Sequence, residues 1–170
     1  LVTEINPQNS TIKIDDREDL SFEHLLIATG SRVRKINVSG SELDNIHYLR
    51  TIEDVDQIRS GMAKDKKLVI VGGGYIGLEV AAIATQAGMN VRVLETEDRV
   101  LQRVTTPTMS NYYTRLHEKR GVRIHTKTRV IGFEGKSAVE RVVCENDVFD
   151  ADLVIAVSYT HLRAHETGYN

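Results

Sequence analysis

The chain contains no tryptophan, one cysteine, two prolines and an aromatic content of only 5%. With Cys144 alone, no intramolecular disulfide, Cys-x-x-Cys redox pair or cysteine zinc cluster can form within it. The run Val142-Val-Cys-Glu145 alternates as a strand does, which marks Cys144 as a small, inert strand residue. Also missing is any apolar run near the ~20 residues that cross a bilayer, and no signal-peptide pattern opens the chain, so a cytoplasmic location is expected. Nor does one sign of charge dominate. The 22 basic and 24 acidic side chains give a net charge of -2 and a pI near 6.3, which leaves no footprint for nucleic acid or an anionic membrane.

What is present is ordinary for a soluble globular protein: 41% hydrophobic and 27% charged residues. A length of 170 residues accommodates one sizeable core and is short for two complete nucleotide-binding domains. The chain starts at Leu1 in the middle of a hairpin pattern, so a piece of a longer protein is expected.

One stretch organises the pattern. Leu68 to Val71 form an apolar strand that enters a glycine cluster, Val71-Gly-Gly-Gly-Tyr-Ile-Gly-Leu-Glu79, and a helical pattern opens directly from it. Gly72, Gly74 and Gly77 occupy the three positions of the dinucleotide fingerprint Gly-x-Gly-x-x-Gly. Gly72 permits the turn, Gly74 admits a pyrophosphate to the backbone, and Gly77 lets the helix pack closely on the strand. The phosphates then meet free N–H groups and the positive end of the helix dipole. Ile76, Val80, Ile83, Ala84 and Ala87 form the helix's apolar face and Gly88 caps it.

A second strand, Val91 to Leu94, ends in Glu95, about 20 residues past the glycines, where a carboxylate accepts from the adenosine ribose hydroxyls of NAD. Thr96, Glu97 and Asp98 follow before any arginine, so a 2′-phosphate meets negative charge and NADH is expected over NADPH. The bland reading is a glycine turn between buried elements with Glu95 a solvated strand end. It leaves unexplained why strand, glycines, helix, second strand and acid all fall in register.

Around this unit, short strands are expected near Val2 to Ile5 and Thr11 to Ile14, and Asp15, Asp16, Glu18 and Asp19 read as a solvated turn. Phe22 to Gly30 reads as an apolar strand ending in Ala28-Thr29-Gly30. A helix starts at Thr51 with Asp54 at the capping-box distance, and another starts at Thr105 to Thr108 with Pro107 in its first turn and Met109, Tyr112, Tyr113 and Leu116 as its apolar face. Val122 to His125 is a third strand of the βαβαβ half. Arg129 to Asp150 alternates through two turns as a three-stranded antiparallel meander, and Asp150 to Ala156 is a last buried parallel strand.

Leu25 to Ser31, the glycine loop, the run Glu95 to Val104 with Arg99-Val-Leu101, and Ala151 to Ala156 together resemble the FAD-dependent pyridine nucleotide oxidoreductases. The closest resemblance is to their ferredoxin reductase branch, which includes putidaredoxin, rubredoxin and ring-hydroxylating-dioxygenase reductases. The fold implied is α/β: a Rossmann-type doubly wound parallel sheet with a three-stranded antiparallel meander, plus a remnant of a second Rossmann-like domain. Residues 1–45 correspond to the C-terminal portion of a split FAD-binding domain, 46–66 to a connector and helix, and 67–156 to the NAD(H)-binding domain. The resemblance further implies that NADH and FAD are the cofactors, with a ferredoxin or rubredoxin type iron–sulfur protein as electron acceptor.

By the same resemblance, Gly72, Gly73, Gly74, Tyr75, Ile76, Gly77 and Glu95 hold NAD(H), with Tyr75 near the nicotinamide and Glu79 approaching its carboxamide. Ala28, Thr29 and Gly30 lie near FAD, and no side chain here need act as acid or base. The upstream FAD glycine loop of a complete member does not occur in this chain, so the piece alone is expected to be inactive. A disulfide reductase, with its cysteines outside this chain, and an isolated non-catalytic nucleotide-binding module are the rival readings. Residues 157–170 depart from the family and resemble a tail carried by unrelated metagenomic reading frames, apparently translated adapter DNA. Within that tail His161 and His165 stand at i,i+4 beside Glu166, but a zinc site needs a third ligand, so no metal is expected.

Overall fold

The computed structural model describes residues 1–15, 17–30 and 33–157, and these fall into two compact units, one ending at residue 30 and the other starting at residue 33. The expectations for residues 158–170, His161 and His165 included, and for Asp16 lie outside the described residues.

In the first unit β1 (Val2–Asn6), β2 (Thr11–Ile14) and β3 (Leu20–Ser21) pair antiparallel in that order. The hairpin matches the sequence reading; β3 was not anticipated. The expected strand from Phe22 to Gly30 does not form. Residues 22–30 take no strand conformation and Leu26 is 87% exposed. A strand exists only where neighbours complete its hydrogen-bond ladder, and the described residues offer this segment none.

The second unit is built on a five-stranded, wholly parallel sheet. Its strands are β4 (Ile46–Tyr48), β5 (Lys67–Val71), β6 (Asn90–Leu94), β7 (Arg123–His125) and, last in sequence, β11 (Leu153–Ala156), in the spatial order β4-β11-β5-β6-β7. Leu68, Val69 and Ile70 of β5 have no solvent exposure, nor do Leu153, Val154 and Ile155 of β11. Such unbroken apolar runs belong to strands buried on both faces.

Alternation sorts those residues between two cores. Leu68, Ile70, Val91, Val93, Leu153 and Ile155 meet Ile58 of α1 (Ile52–Gly61) and Ala81 and Ala84 of α2 (Tyr75–Gln86). Val69 and Val154 face the other way, onto Phe133, Val139, Val142 and Cys144 of the meander. The meander comprises β8 (Val130–Gly135), β9 (Val139–Cys144) and β10 (Val148–Asp150), antiparallel as expected. Fully burying each such aliphatic side chain contributes about 1.5–3 kcal/mol.

Helix starts follow local chemistry. Thr51 and Asp54 make a complete capping box on α1: the Asp54 N–H donates to Thr51 Oγ1 at 3.4 Å and the Thr51 N–H to Asp54 Oδ2 at 2.7 Å. Helix α3 (Pro107–Glu118) is capped by Thr106, with its proline in the first turn.

Three further readings need correction. Of the face expected on α2, Ile83 is 62% exposed and Ala87 is exposed, while the buried side is Gly77, Leu78, Ala81 and Ala84. The segment 46–66, expected as connector and helix, also supplies β4, whose three residues are too few to show a period. The inward face of α3 is Ser110, Tyr113 and His117, while Met109 and Tyr112 are 42% and 58% exposed. Ser110 turns inward because its hydroxyl donates to the Val100 carbonyl at 2.7 Å and accepts from Arg99 Nη1 at 2.6 Å. These bonds outweigh the apolar spacing.

Candidate functional site

Register brings the strand ends to one level: Ala156 pairs with Val71, Val71 with Leu94, and Leu94 with His125. The chain runs from β5 through β6 to β7 in one direction, whereas β11 pairs on the opposite side of β5. Ligands of open α/β sheets bind where the order reverses, beyond the carboxyl ends of the strands. A cleft of about 660 Å³ lies there, and Gly72, Gly74, Tyr75, Ile76 and Glu95 all line it.

The glycines have separable geometries. Gly72 has φ +117°, accessible to glycine at no steric cost. A Cβ on Gly77 would stand 2.1 Å from the Gly72 carbonyl oxygen, so the helix seats on the loop only because that Cβ is absent. A Cβ on Gly74 would meet nothing within 4 Å; the space above it is open. Gly74 is also the N-cap of α2, which has no side-chain cap and no acidic residue in its first turn. The positive end of that helix therefore faces the cleft uncompensated, as an anion requires.

Glu95 is already oriented. Its Oε2 accepts from the Gly73 N–H at 2.8 Å and its Oε1 from the Glu97 N–H at 2.9 Å. A carboxylate held by two backbone donors presents its remaining lone pairs in fixed directions. Gly73 is buried beneath it, as is Gly77. Glu79 is exposed on α2, one turn beyond Tyr75 and outside the residues lining the cleft. Ala28, Thr29 and Gly30 belong to the first unit, exposed in irregular backbone with Gly30 at φ +71°.

The far wall of the cleft comes from a loop that sequence reasoning used only as a mark of resemblance. Arg99 anchors it: Nη1 donates to the Thr105 carbonyl at 2.9 Å and Nη2 to the Gln102 carbonyl at 3.0 Å. The turn they close holds Leu101, 3% exposed, at φ +56°, a conformation that costs a non-glycine residue about 1–2 kcal/mol. In it the Leu101 N–H donates to the Gly73 carbonyl at 2.9 Å. Loop and glycine turn are thus tied at Gly73 from both sides.

Glu97, Gln102 and Arg103 also line the cleft; the sequence marked Glu97 by its charge close after Glu95, and Gln102 and Arg103 only as part of the run that carries the family resemblance. Cys144 is buried, and burial pushes its thiol up to about 11, in keeping with the inert role expected of it. Among the described residues no cluster of three or more His, Cys, Asp or Glu side chains could hold a metal ion, and no helix is long and apolar enough to cross a membrane.

The chain belongs to the pyridine nucleotide-disulphide oxidoreductase family, whose model matches residues 1–158. Within it the similarity runs to ferredoxin reductases. Putidaredoxin reductase CamA of Pseudomonas putida is 44% identical over 162 residues, covering 91% of this chain and 38% of the relative, and rhodocoxin reductase of Rhodococcus erythropolis is 35% identical, covering 91% and 36%. Among solved structures, the reductase in the covalent putidaredoxin reductase–putidaredoxin complex superposes with a TM-score of 0.80 at 44% identity, covering 92% of this chain and 39% of its own. The ferredoxin reductase for the CYP199A2 system of Rhodopseudomonas palustris also gives 0.80, at 32% identity, covering 91% and 39%. The chain therefore spans less than two fifths of the length of these relatives.

Proposed function

We propose that residues 67–156 are the NADH-binding domain of an FAD-containing ferredoxin reductase, and that residues 1–45 belong to its FAD-binding domain. The observation that carries the reading is the cleft at the sheet's switch point, where an uncapped helix N-terminus and the doubly hydrogen-bonded Glu95 face the same space. When bound, FAD would supply the redox chemistry that links a two-electron hydride donor to a one-electron iron–sulfur acceptor.

This chain's own residues bind and orient. The Gly74 to Ile76 backbone receives the pyrophosphate, Glu95 accepts from the ribose hydroxyls, and Tyr75 and Glu79 flank the nicotinamide end. Gly73 and Gly77 set the shape of the loop beneath. Ala28, Thr29 and Gly30 would be the residues of this chain on the flavin side. The names of the relatives, putidaredoxin, rhodocoxin and rubredoxin reductases among them, favour an iron–sulfur or rubredoxin acceptor over a disulfide substrate.

Calorimetric titration of the 170-residue chain with NADH and NADPH tests the nucleotide assignment. NADH is expected to bind more tightly, and Glu95→Arg to move the ratio of affinities toward NADPH by about tenfold or more. Equal or absent binding of the two coenzymes by the unaltered chain removes the assignment.

A further inference from the structure

Arg103 lines the same cleft as Glu95, with one edge of its guanidinium engaged by Glu97. Its Nη2 donates to Glu97 Oε1 at 2.9 Å and its Nε to the same oxygen at 3.3 Å, while Gln102 Nε2 donates to Glu97 Oε2 at 3.1 Å. Glu97 in turn cannot readily withdraw. Its N–H is bonded to Glu95 Oε1 at 2.9 Å and its carbonyl accepts from the Lys127 N–H at 3.0 Å. All four side chains, Glu95, Glu97, Gln102 and Arg103, line one cleft.

We infer that Glu97 is a specificity-determining residue: it masks Arg103, the guanidinium that would otherwise receive a coenzyme 2′-phosphate. The inference rests on the nucleotide reading of the cleft given above. Arg34 and Arg129 also line the cleft, but of the three the guanidinium that follows Glu95 on its own loop is Arg103, and a phosphate dianion reaching it meets the Glu97 carboxylate. A guanidinium near the ribose accommodates a 2′-phosphate through paired, charge-assisted hydrogen bonds. Here the Nε and Nη2 edge of the Arg103 fork is engaged by a carboxylate whose other oxygen accepts from Gln102 and whose backbone is held by two further bonds. A 2′-phosphate that recruits Arg103 must then lie against the Glu97 carboxylate. NADH makes no demand on Arg103, because its ribose hydroxyls are served by Glu95.

Glu95 and Glu97 therefore act differently. Loss of Glu95 removes an acceptor that NADH uses and leaves Arg103 paired. Loss of the Glu97 charge frees Arg103 and leaves the ribose acceptor in place, with Gln able to keep the bond to Gln102.

The test measures dissociation constants of the 170-residue chain for NADH and NADPH at low ionic strength, in the unaltered chain, Glu97→Gln, Arg103→Ala and the double variant. Glu97→Gln is expected to raise NADPH affinity about tenfold or more, with NADH affinity within about twofold, and Arg103→Ala added to it to cancel the gain. The gain should shrink with added salt. An unchanged coenzyme ratio in Glu97→Gln overturns the inference, and so does a gain that survives loss of Arg103, since charge removal alone then explains it. Loss of both coenzymes in Glu97→Gln overturns it as well, because Glu97 is then needed for the site itself. NADH bound by the unaltered chain with any of these results leaves the nucleotide reading standing. Absence of binding in the unaltered chain removes both.

Discussion

Gly77 and Gly74, three residues apart in one glycine cluster, separate fold from function at the scale of single residues. Gly77→Ala forces a Cβ against the Gly72 carbonyl at 2.1 Å, and neither backbone can retreat, so a loss of about 1–3 kcal/mol or more is expected together with weaker NADH binding. Gly74→Ala meets open space at φ -79°, so stability should change by less than about 1 kcal/mol while NADH affinity falls, because the methyl occupies the approach of the pyrophosphate. Thermal melts and titrations on both variants check this; if Gly74→Ala binds NADH as well as the parent, the phosphates do not pass there. The glycines were legible in the sequence because each answers to a steric rule acting within a few residues. The charge of Glu97 was legible too, in the acidic run after Glu95, but its pairing with Arg103 was not, because that depends on the path of a loop set by Arg99 and by the positive φ of Leu101.

Histidines give the same scale a pH signature. The His125 ring lies 4.7 Å from that of Phe149, and its Nε2 is buried with no hydrogen-bond partner among the described residues. Burial, then Arg92 and Arg123, hold its pKa below the ordinary value, with Asp147 opposing; burial also lowers His117, aided by Arg120, and His47. The folded state thus favours neutral rings. Stability is fully present above the unfolded value of about 6.5 and declines as pH falls below it toward the folded values. Unfolding free energies from urea titrations are expected to be level from about pH 7 to 8 and to drop from about 6.5 downward, by less than about 1.4 kcal/mol per pH unit for each partly solvated ring. His125→Phe should flatten part of that slope; an unaltered slope would assign the decline to other groups.

At the scale of elements, the loop between β6 and α3 is the one whose form the sequence concealed. Its strained turn is held by one guanidinium with three acceptors, Thr105, Gln102 and Ser110. Arg99→Ala leaves those acceptors unpaired in a half-buried setting and is expected to cost roughly 1–3 kcal/mol. Lysine cannot reproduce the fork, so Arg99→Lys should recover little. The discriminating measurement is hydrogen exchange at the Leu101 amide, which donates to Gly73 and should exchange faster in Arg99→Ala than amides of β5 do. Equal protection at the two places would mean that Arg99 does not hold the turn. Elements with strong local signals, such as the box at Thr51 and Asp54 or the runs of β5 and β11, were legible because propensity, capping and pattern agree there. The face of α3 was not, since Met109–Tyr112–Leu116 and Ser110–Tyr113–His117 are both admissible helical stripes and a buried hydroxyl decided between them. The segment 22–30 failed as a strand because apolar composition cannot supply a ladder partner.

For the molecule as a whole, the two units differ in what holds them. The first has a three-stranded sheet with Leu20, Leu25, Leu26 and Ile27 all exposed, whereas the second buries both faces of its parallel sheet. Backbone without ladder bonds opens at little cost, while central strands open only with global unfolding. Brief chymotrypsin digestion is therefore expected to cut first among residues 23–30, leaving a product that retains β4 to β11 and still binds NADH. A ligand at 100 times its dissociation constant stabilises the state it binds by about 2.7 kcal/mol, so NADH should slow later cuts within 33–157 without protecting 23–30. First cuts between Lys67 and Leu94, or protection by NADH confined to residues 1–30, would contradict the assignment of the nucleotide site to the second unit. Survival of NADH binding after loss of residues 23–30 would show that the coenzyme half of the reaction folds and binds independently of the segment assigned to FAD.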